Sequence, residues 1–269
     1  VNTEYVALLN DDTKVDPKWL EELVKAIESD ISIFAVGSKI LFHDSPDVIN
    51  YADGKFTLMG ACLPASFGEK DSPKFNKLKY VGAVCGAAVL FRRKIFEEIG
   101  GFDGDYFAYH EDVDLCWRAW LKGYRCVYTP KSVVLHRYGG TWGPRWGRQV
   151  NPLKLYLVTR NRLANIIKNF EAKNIPIALL CSLLFDFVNI MTNLSSREMA
   201  RASFNVLKAN WDFLKGIKRD LEKRRKIQSN RVLKDKDLQN LGLFASLTES
   251  FREFVRIKRF EELRDKNEQ

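Results

Sequence analysis

Residues 100–123 read GGFDGDYFAYHEDVDLCWRAWLKG. Counted from Asp112, apolar residues fall at Leu115, Cys116, Ala119 and Trp120, the i+3, i+4, i+7 and i+8 positions of one helical face. A helix patterned in this way must bury that face, and the face carries Asp112 at its first turn to a pocket wall. Gly123 is a C-terminal stop, while the N–H groups at the other end point toward whatever lies beside Glu111 and Asp112. Acids favour a helix's first turn in any case, which is explanation enough for Glu111 alone. An acidic pair entered through a loop with five Phe, Tyr and His residues in the nine positions 102–110 has the pattern of a substrate site.

Residues 4–9 form a short apolar strand that runs into Asn10-Asp11-Asp12-Thr13. Asp16-Pro17 then reads as an N-cap followed by proline at the first helical position, with Leu20, Leu23, Val24 and Ile27 at helical spacing. The acids therefore sit at a strand's C-terminal end, the edge where open α/β sheets bind ligands. Clustered hard oxygen ligands there suit magnesium or manganese bridging a diphosphate, although Asp and Asn are also ordinary turn residues. Residues 33–42 read as a strand, 43–79 as a polar region punctuated by Pro and Gly, and 80–91 as a buried strand. Gly82 and Gly86 in the latter allow a ligand or another backbone to come close. A short helix over 92–99 is closed by Gly100-Gly101, and two strands separated by Pro130 follow the opening helix, the second ending at His136.

The run 82–140 resembles the acceptor half of a glycosyltransferase family 2 enzyme of the GT-A fold, of a rhamnosyltransferase-like kind. The likeness extends over roughly residues 1–165 because four elements occur in the family's order: acidic strand end, glycine-bearing strand, Glu-Asp helix and strand-end histidine. The resemblance implies that Asp112, the second acid of the pair, takes the proton from the acceptor hydroxyl. LLNDDTKVDP is similar to the family's Asp-x-Asp metal motif, with Asn10 in the first position and Asp12 in the last. Asp12 is thus the expected ligand of a divalent cation (magnesium or manganese), Asp11 is placed for the donor's ribose or phosphate, and Asn10 departs from a two-carboxylate site. His136 matches a histidine that joins the metal in relatives, and imidazole is acceptable to manganese. Glu111 and Trp117 would shape the acceptor pocket, with Gly86 at close approach. The implied reaction is inverting transfer of a sugar from a nucleotide-sugar donor to a glycan or lipid-linked acceptor. The family also implies a nucleotide-binding part ahead of the acidic motif, which this sequence lacks.

Composition separates two regions, 1–150 and 151–269. The first holds 19 Lys and Arg against 20 Asp and Glu, the second 24 against 14. The loop 139–149 interleaves cations and indoles with glycine; Arg145 in it, and Arg160 beyond, suit diphosphate or sugar contact, or else a solvated surface. From Asn151 the texture is helical. Residues 175–194 approach the roughly 20-residue length of a membrane span, but mid-run Asp186 favours the membrane interface or packing on the catalytic domain. Near the end, Phe251, Phe254, Val255, Phe260 and Leu263 line one side of a basic helix of the kind that docks on an anionic membrane surface.

The fold class expected is therefore α/β: a partial GT-A mixed sheet with flanking helices, followed by a helical, basic, membrane-proximal region. Five cysteines without CxxC spacing suggest neither a disulfide framework nor a zinc site, so the expected location is cytoplasmic, at the inner face of the cell membrane. No nucleic-acid motif accompanies the basic residues. Two other classes fit part of the pattern: a nucleotidyltransferase using the same strand-end acids, and a non-catalytic membrane-binding module.

Overall fold

The computed structural model describes residues 3–138, 151–193 and 197–267. In chain order the elements are β1 (Tyr5–Leu9), β2 (Thr13–Val15), α1 (Trp19–Glu28), β3 (Ile33–Phe42), β4 (Ser45–Tyr51), β5 (Lys55–Phe56), β6 (Cys62–Leu63), β7 (Lys79–Tyr80), β8 (Ala88–Arg92), α2 (Arg93–Glu98), α3 (Glu111–Leu121), β9 (Arg125–His136), α4 (Pro152–Asn169), α5 (Ile175–Asn193), α6 (Arg197–Ser229), α7 (Asp235–Asn240) and α8 (Leu247–Asn267).

Every residue of β3 is buried, as its unbroken apolar run requires, and it lies at the middle of a sheet ordered β1-β8-β3-β9-β2. The β3–β9 pair is parallel and the others are antiparallel, so the sheet is mixed. On one face α1 sets Leu23 and Ile27 against Val36 and Val127. On the other, α3 sets Leu115, Trp117 and Trp120 against Phe34, Phe91 and Tyr128. Of the two buried indoles on α3, Trp120 donates from Nε1 to Val81 O at 2.9 Å, whereas Trp117 Nε1 has no hydrogen-bond partner. The α/β class, the flanking helices and the helical C-terminal region are as the sequence led one to expect.

Four local expectations fail, each for a physical reason. Asp16 is not the cap of α1: its carboxylate accepts from Lys18 N at 2.9 Å in a turn, and the helix begins at Trp19 after Lys18. Residues 80–91 are not one strand: between β7 and β8 the backbone leaves the sheet, with Gly82 N donating to Gly54 O at 2.6 Å and Gly86 N donating to a side chain described below. A Cβ on Gly82 would stand 3.0 Å from Phe56 N, so only glycine passes there easily. Pro130 does not divide two strands. β9 is continuous, and the pairing jumps from Ser38↔Thr129 to Lys39↔Val133, so a proline that cannot donate to the ladder sits in a bulge. Finally, the apolar residues of α8 do not share one side. Phe260 packs against Phe42 and Phe67 with centroids 5.5 and 5.6 Å apart, Phe254 meets Phe185 at 4.9 Å, and Phe251, Val255 and Leu263 are exposed.

α4 is capped by Asn151, whose side chain accepts from Leu153 N and Lys154 N, with Pro152 at its first turn. It packs against α3 on one side and carries α5 and α6 on the other. The helical region is thereby attached to the sheet through α3, and again through Phe260 of α8 on Phe42 of β3.

Candidate active site

Two strand ends meet at the sheet edge. β2 pairs with β9 so that Thr13 lies opposite His136, which brings Asp12 beside the histidine. Asp12 Oδ1 is 3.1 Å from His136 Nε2, yet that oxygen is buried and makes no hydrogen bond. The other imidazole nitrogen, Nδ1, faces Asn50 Oδ1 at 3.4 Å. Burial pushes the His136 pKa down, against the pull of the Asp12 charge, so the ring is neutral near neutral pH. In the tautomer that carries its proton on Nδ1, Nε2 turns a lone pair toward Asp12 Oδ1; in the other, Nε2–H donates to that carboxylate. The first tautomer sets two acceptors side by side, a donor set that fits a hard cation. Asn10 and Asp11 are exposed next to them, and Asn10 N donates to Ala87 O at 2.9 Å.

That bond ties the acidic turn to the second half of the site. One residue before Ala87, Gly86 N donates to Asp112 Oδ2 at 2.9 Å, and Val113 N donates to Oδ1 at 2.8 Å. A Cβ on Gly86 would meet the same carboxylate at 3.4 Å, an ordinary contact distance, so it is the Gly86 N–H and not the missing side chain that the site uses. Burial raises the Asp112 pKa, and the two N–H donors oppose it. Glu111 is also raised, first by burial and then by the charge on Asp112, and its Oε2 makes no hydrogen bond. The pair is therefore a partly buried base beside a carboxyl that holds its proton longer.

The loop leading to α3 is strained: Phe107, Tyr109 and His110, none of them glycine, have φ of 64°, 66° and 68°. Each such residue costs on the order of 1–3 kcal/mol, so the surroundings must hold it. α4 does so. The Asn161 amide donates toward the carbonyls of Tyr106 (3.0 Å), Ala108 (2.8 Å) and Tyr109 (2.7 Å). Arg160 donates to Asp105 O at 2.8 Å and Tyr106 O at 3.1 Å. Below them Lys168, 1% exposed, bridges Asp103 (2.8 Å) and the fully buried Asp114 (2.7 Å). Burial works to raise Asp114, but Lys168 and Arg118 outweigh it and hold the carboxyl below its ordinary range.

Residues 5–198, which include every group in this site, match the model of the glycosyl transferase family group 2. The chain belongs to that family. Within it, N-acetylglucosaminyl-diphospho-decaprenol L-rhamnosyltransferase of Mycobacterium tuberculosis is 44% identical over 63 residues, covering 23% of this chain and 20% of that protein. Rhamnosyltransferase WbbL of Escherichia coli is 29% identical over 139 residues, covering 49% of this chain and 52% of WbbL. The chain thus spans between a fifth and about half the length of these relatives. The solved structure of GalNAc-T7 with UDP, GalNAc and Mn2+ aligns over 81% of this chain and 41% of that one at 14% identity, with a TM-score of 0.46, too loosely to add to the assignment.

In this glycosyltransferase family 2 chain, Asp12, His136, Gly86, Glu111 and Asp112 gather around the 86–87 turn, and Asp11 stands at its rim. Arg160 is spent on the loop carbonyls, and Arg145 lies outside the described residues. Trp117 has no exposed surface; it stacks on Phe56 at 4.4 Å and meets Phe170 edge-on at 4.9 Å, so it is a core residue and not, as expected, one that shapes an acceptor pocket. Asn161, Lys168, Asp114 and Asn50 went unremarked in the sequence. Only Asp114 and Arg118 carried a readable signal, the i, i+4 spacing of an ion pair on α3.

Proposed function

We propose that the chain transfers a sugar from a nucleotide-diphosphate-sugar donor to a hydroxyl of a lipid-linked or cell-surface glycan acceptor, with inversion at the anomeric carbon. The observation that carries this reading is the Asp112 carboxylate, deep-set and held by the Gly86 N–H one residue from the turn that binds the acidic strand end. A base held in this way accepts the acceptor proton as the acceptor oxygen bonds to the anomeric carbon. The C–O bond to the diphosphate breaks on the opposite side and leaves with its electron pair. A single displacement of this kind inverts the centre. Such a base contributes roughly 10²–10⁴ in rate.

Asp12 and His136 would hold a divalent cation, magnesium or manganese, which when bound neutralises charge on the departing diphosphate. Among the described residues no third His, Cys, Asp or Glu joins them. Asp11 at the rim is positioned for the donor's ribose. Glu111, protonated more readily than its neighbour, can donate a hydrogen bond to an acceptor oxygen.

The test is incorporation of label into a membrane extract from nucleotide sugars labelled in the sugar or in the nucleotide, with manganese present. Sugar label alone supports the proposal. Nucleotide label would make the chain a nucleotidyltransferase, and no transfer together with no donor binding by calorimetry would leave it without this activity.

A further inference from the structure

α5 is built inside out for a helix in water. Its polar and small residues Ala178, Ser182 and Asp186 are buried, whereas Ile177, Leu180, Leu183, Leu184, Phe187 and Met191 are 47–58% exposed. The buried seam is fastened to α4: Arg162, 2% exposed, donates to Asp186 Oδ1 at 2.5 Å and to the Ser182 hydroxyl. From α6, Asn210 donates to Asp186 Oδ2 at 3.3 Å. α6 repeats the arrangement, burying Val206, Ala209 and Phe213 while Phe204, Leu207, Trp211 and Leu214 are 55–66% exposed at i, i+3, i+7 and i+10. It too is bound to α4, through Arg224 to Ile167 O and Phe170 O and through Asp212 to Tyr156. α5 therefore covers α4 with a small and polar seam and α6 with a largely apolar one, and both turn a second apolar side away from the protein. Ten large apolar side chains on two adjoining helices exceed the few hundred Å² that a soluble monomer usually exposes in one patch.

Charge identifies what covers this surface. Lys208, Lys215 and Lys218 are exposed along the same α6, and Arg252 and Arg259 along α8. Cations beside an apolar face match the headgroup and acyl layers of an anionic bilayer, with the lysine stems reaching up to the phosphates. Residues Ala172–Met191 are long and apolar enough to cross a membrane. Crossing would, however, carry Asp186, Arg162 and the α4 cations with them, because the buried pair ties α5 to α4, and an unshielded ion at the bilayer centre is costly.

We infer that α5 and the Phe204–Leu214 stretch of α6 embed side by side in the surface of an anionic bilayer, lying in its plane, with the Ser182–Asp186 seam of α5 kept inside the protein. This goes beyond the transferase reading and does not depend on it. The helices that seat the lipid surface are fastened to the α4 that clamps the loop entering α3, so a membrane-borne acceptor meets the pocket at a fixed height.

Vesicle co-sedimentation of the 269-residue chain tests the inference. Binding is expected to vesicles that include phosphatidylglycerol, to weaken on vesicles of phosphatidylcholine alone, and to fall as salt screens the lysines over about 8–10 Å. Leu184→Glu with Phe187→Glu should weaken it at least about tenfold with an unchanged circular dichroism spectrum, since both side chains point outward. Lys208→Glu with Lys218→Glu should remove the lipid-charge preference. No binding, binding indifferent to Leu184→Glu and Phe187→Glu, or retention after an alkaline carbonate wash would each overturn the inference, the last by showing a spanning helix. A dimer in gel filtration that these same substitutions dissociate would assign the face to a second copy. The vesicles hold neither donor nor acceptor, so failure here leaves sugar transfer untouched, and Asp112→Asn should bind them as the unaltered chain does.

Discussion

At the scale of single residues, the site is a matter of who keeps a proton. Asp112 must be ionised to accept one, and burial raises its pKa, so transfer should climb with pH through a limb above the ordinary 3.8 of an aspartate. Glu111 ionises later, because a charged Asp112 beside it is a second obstacle after burial. Its ionisation at about 8 places a second negative charge at the pocket and should produce a falling alkaline limb. Glu111→Gln, which stays neutral, should flatten that limb in a pH–rate profile and leave the acid limb in place; an alkaline limb that survives the substitution would assign it to another group. Asp112→Asn should remove transfer by about 10²–10⁴ while calorimetric donor affinity stays within a few-fold. Asp112 was legible in the sequence because helical periodicity alone turns it inward. The Asn50 backing of His136 was not, since a partner 86 residues away leaves no spacing to read.

Elements explain why that geometry persists. β3 was legible from its unbroken apolar run, and α3 from its stripe, because burial on two faces or on one writes a different period into the chain. The 80–91 run misled by the same rule: it is apolar because it is buried, but two close backbone approaches draw it out of the sheet. α4 belongs to the site by contact, since its Asn161, Arg160 and Lys168 hold the strained loop from outside. Asn161→Ala should therefore lower kcat more than it raises KM. In hydrogen exchange it should loosen residues 105–110 first; a loop as protected as before would show that strain, and not Asn161, sets it. Lys168→Met leaves Asp114 buried with less compensation and should cost about 3–5 kcal/mol. The sign with pH is fixed by the depressed Asp114 carboxyl. Its stabilising contribution is present above the ordinary aspartate pKa and is lost as pH falls through the lower folded value, so the unaltered chain and Lys168→Met should converge in urea melts at acid pH.

Over the whole molecule, the contrast between a nearly neutral first region and a basic second one has an internal use as well as an external one. Lys168 and Lys223 pair with Asp103, and Arg219 with Asp105, so cations from the helices neutralise the acidic loop ahead of the site. That part of the charge was not legible in the sequence, because pairing across the chain looks the same in a composition as a solvated face. The same ambiguity affected α8, where five apolar residues at helical spacing suggested one lipid-facing stripe. Its rings in fact divide between packing and exposure, and thermal melts can separate the two. Phe260 lies on Phe42 and Phe67, so Phe260→Ala should destabilise by about 2–3 kcal/mol, short of the roughly 3–5 of a fully enclosed ring because Phe260 is only partly buried. For a chain of this size each kcal/mol moves Tm by about 2–4 °C, which puts the expected drop near 4–12 °C. Phe251 is 72% exposed, and Phe251→Ala should leave Tm within about 2 °C, the range of substitutions away from packed features. Equal shifts for the two would mean that α8 is not seated on the sheet edge as the rings place it.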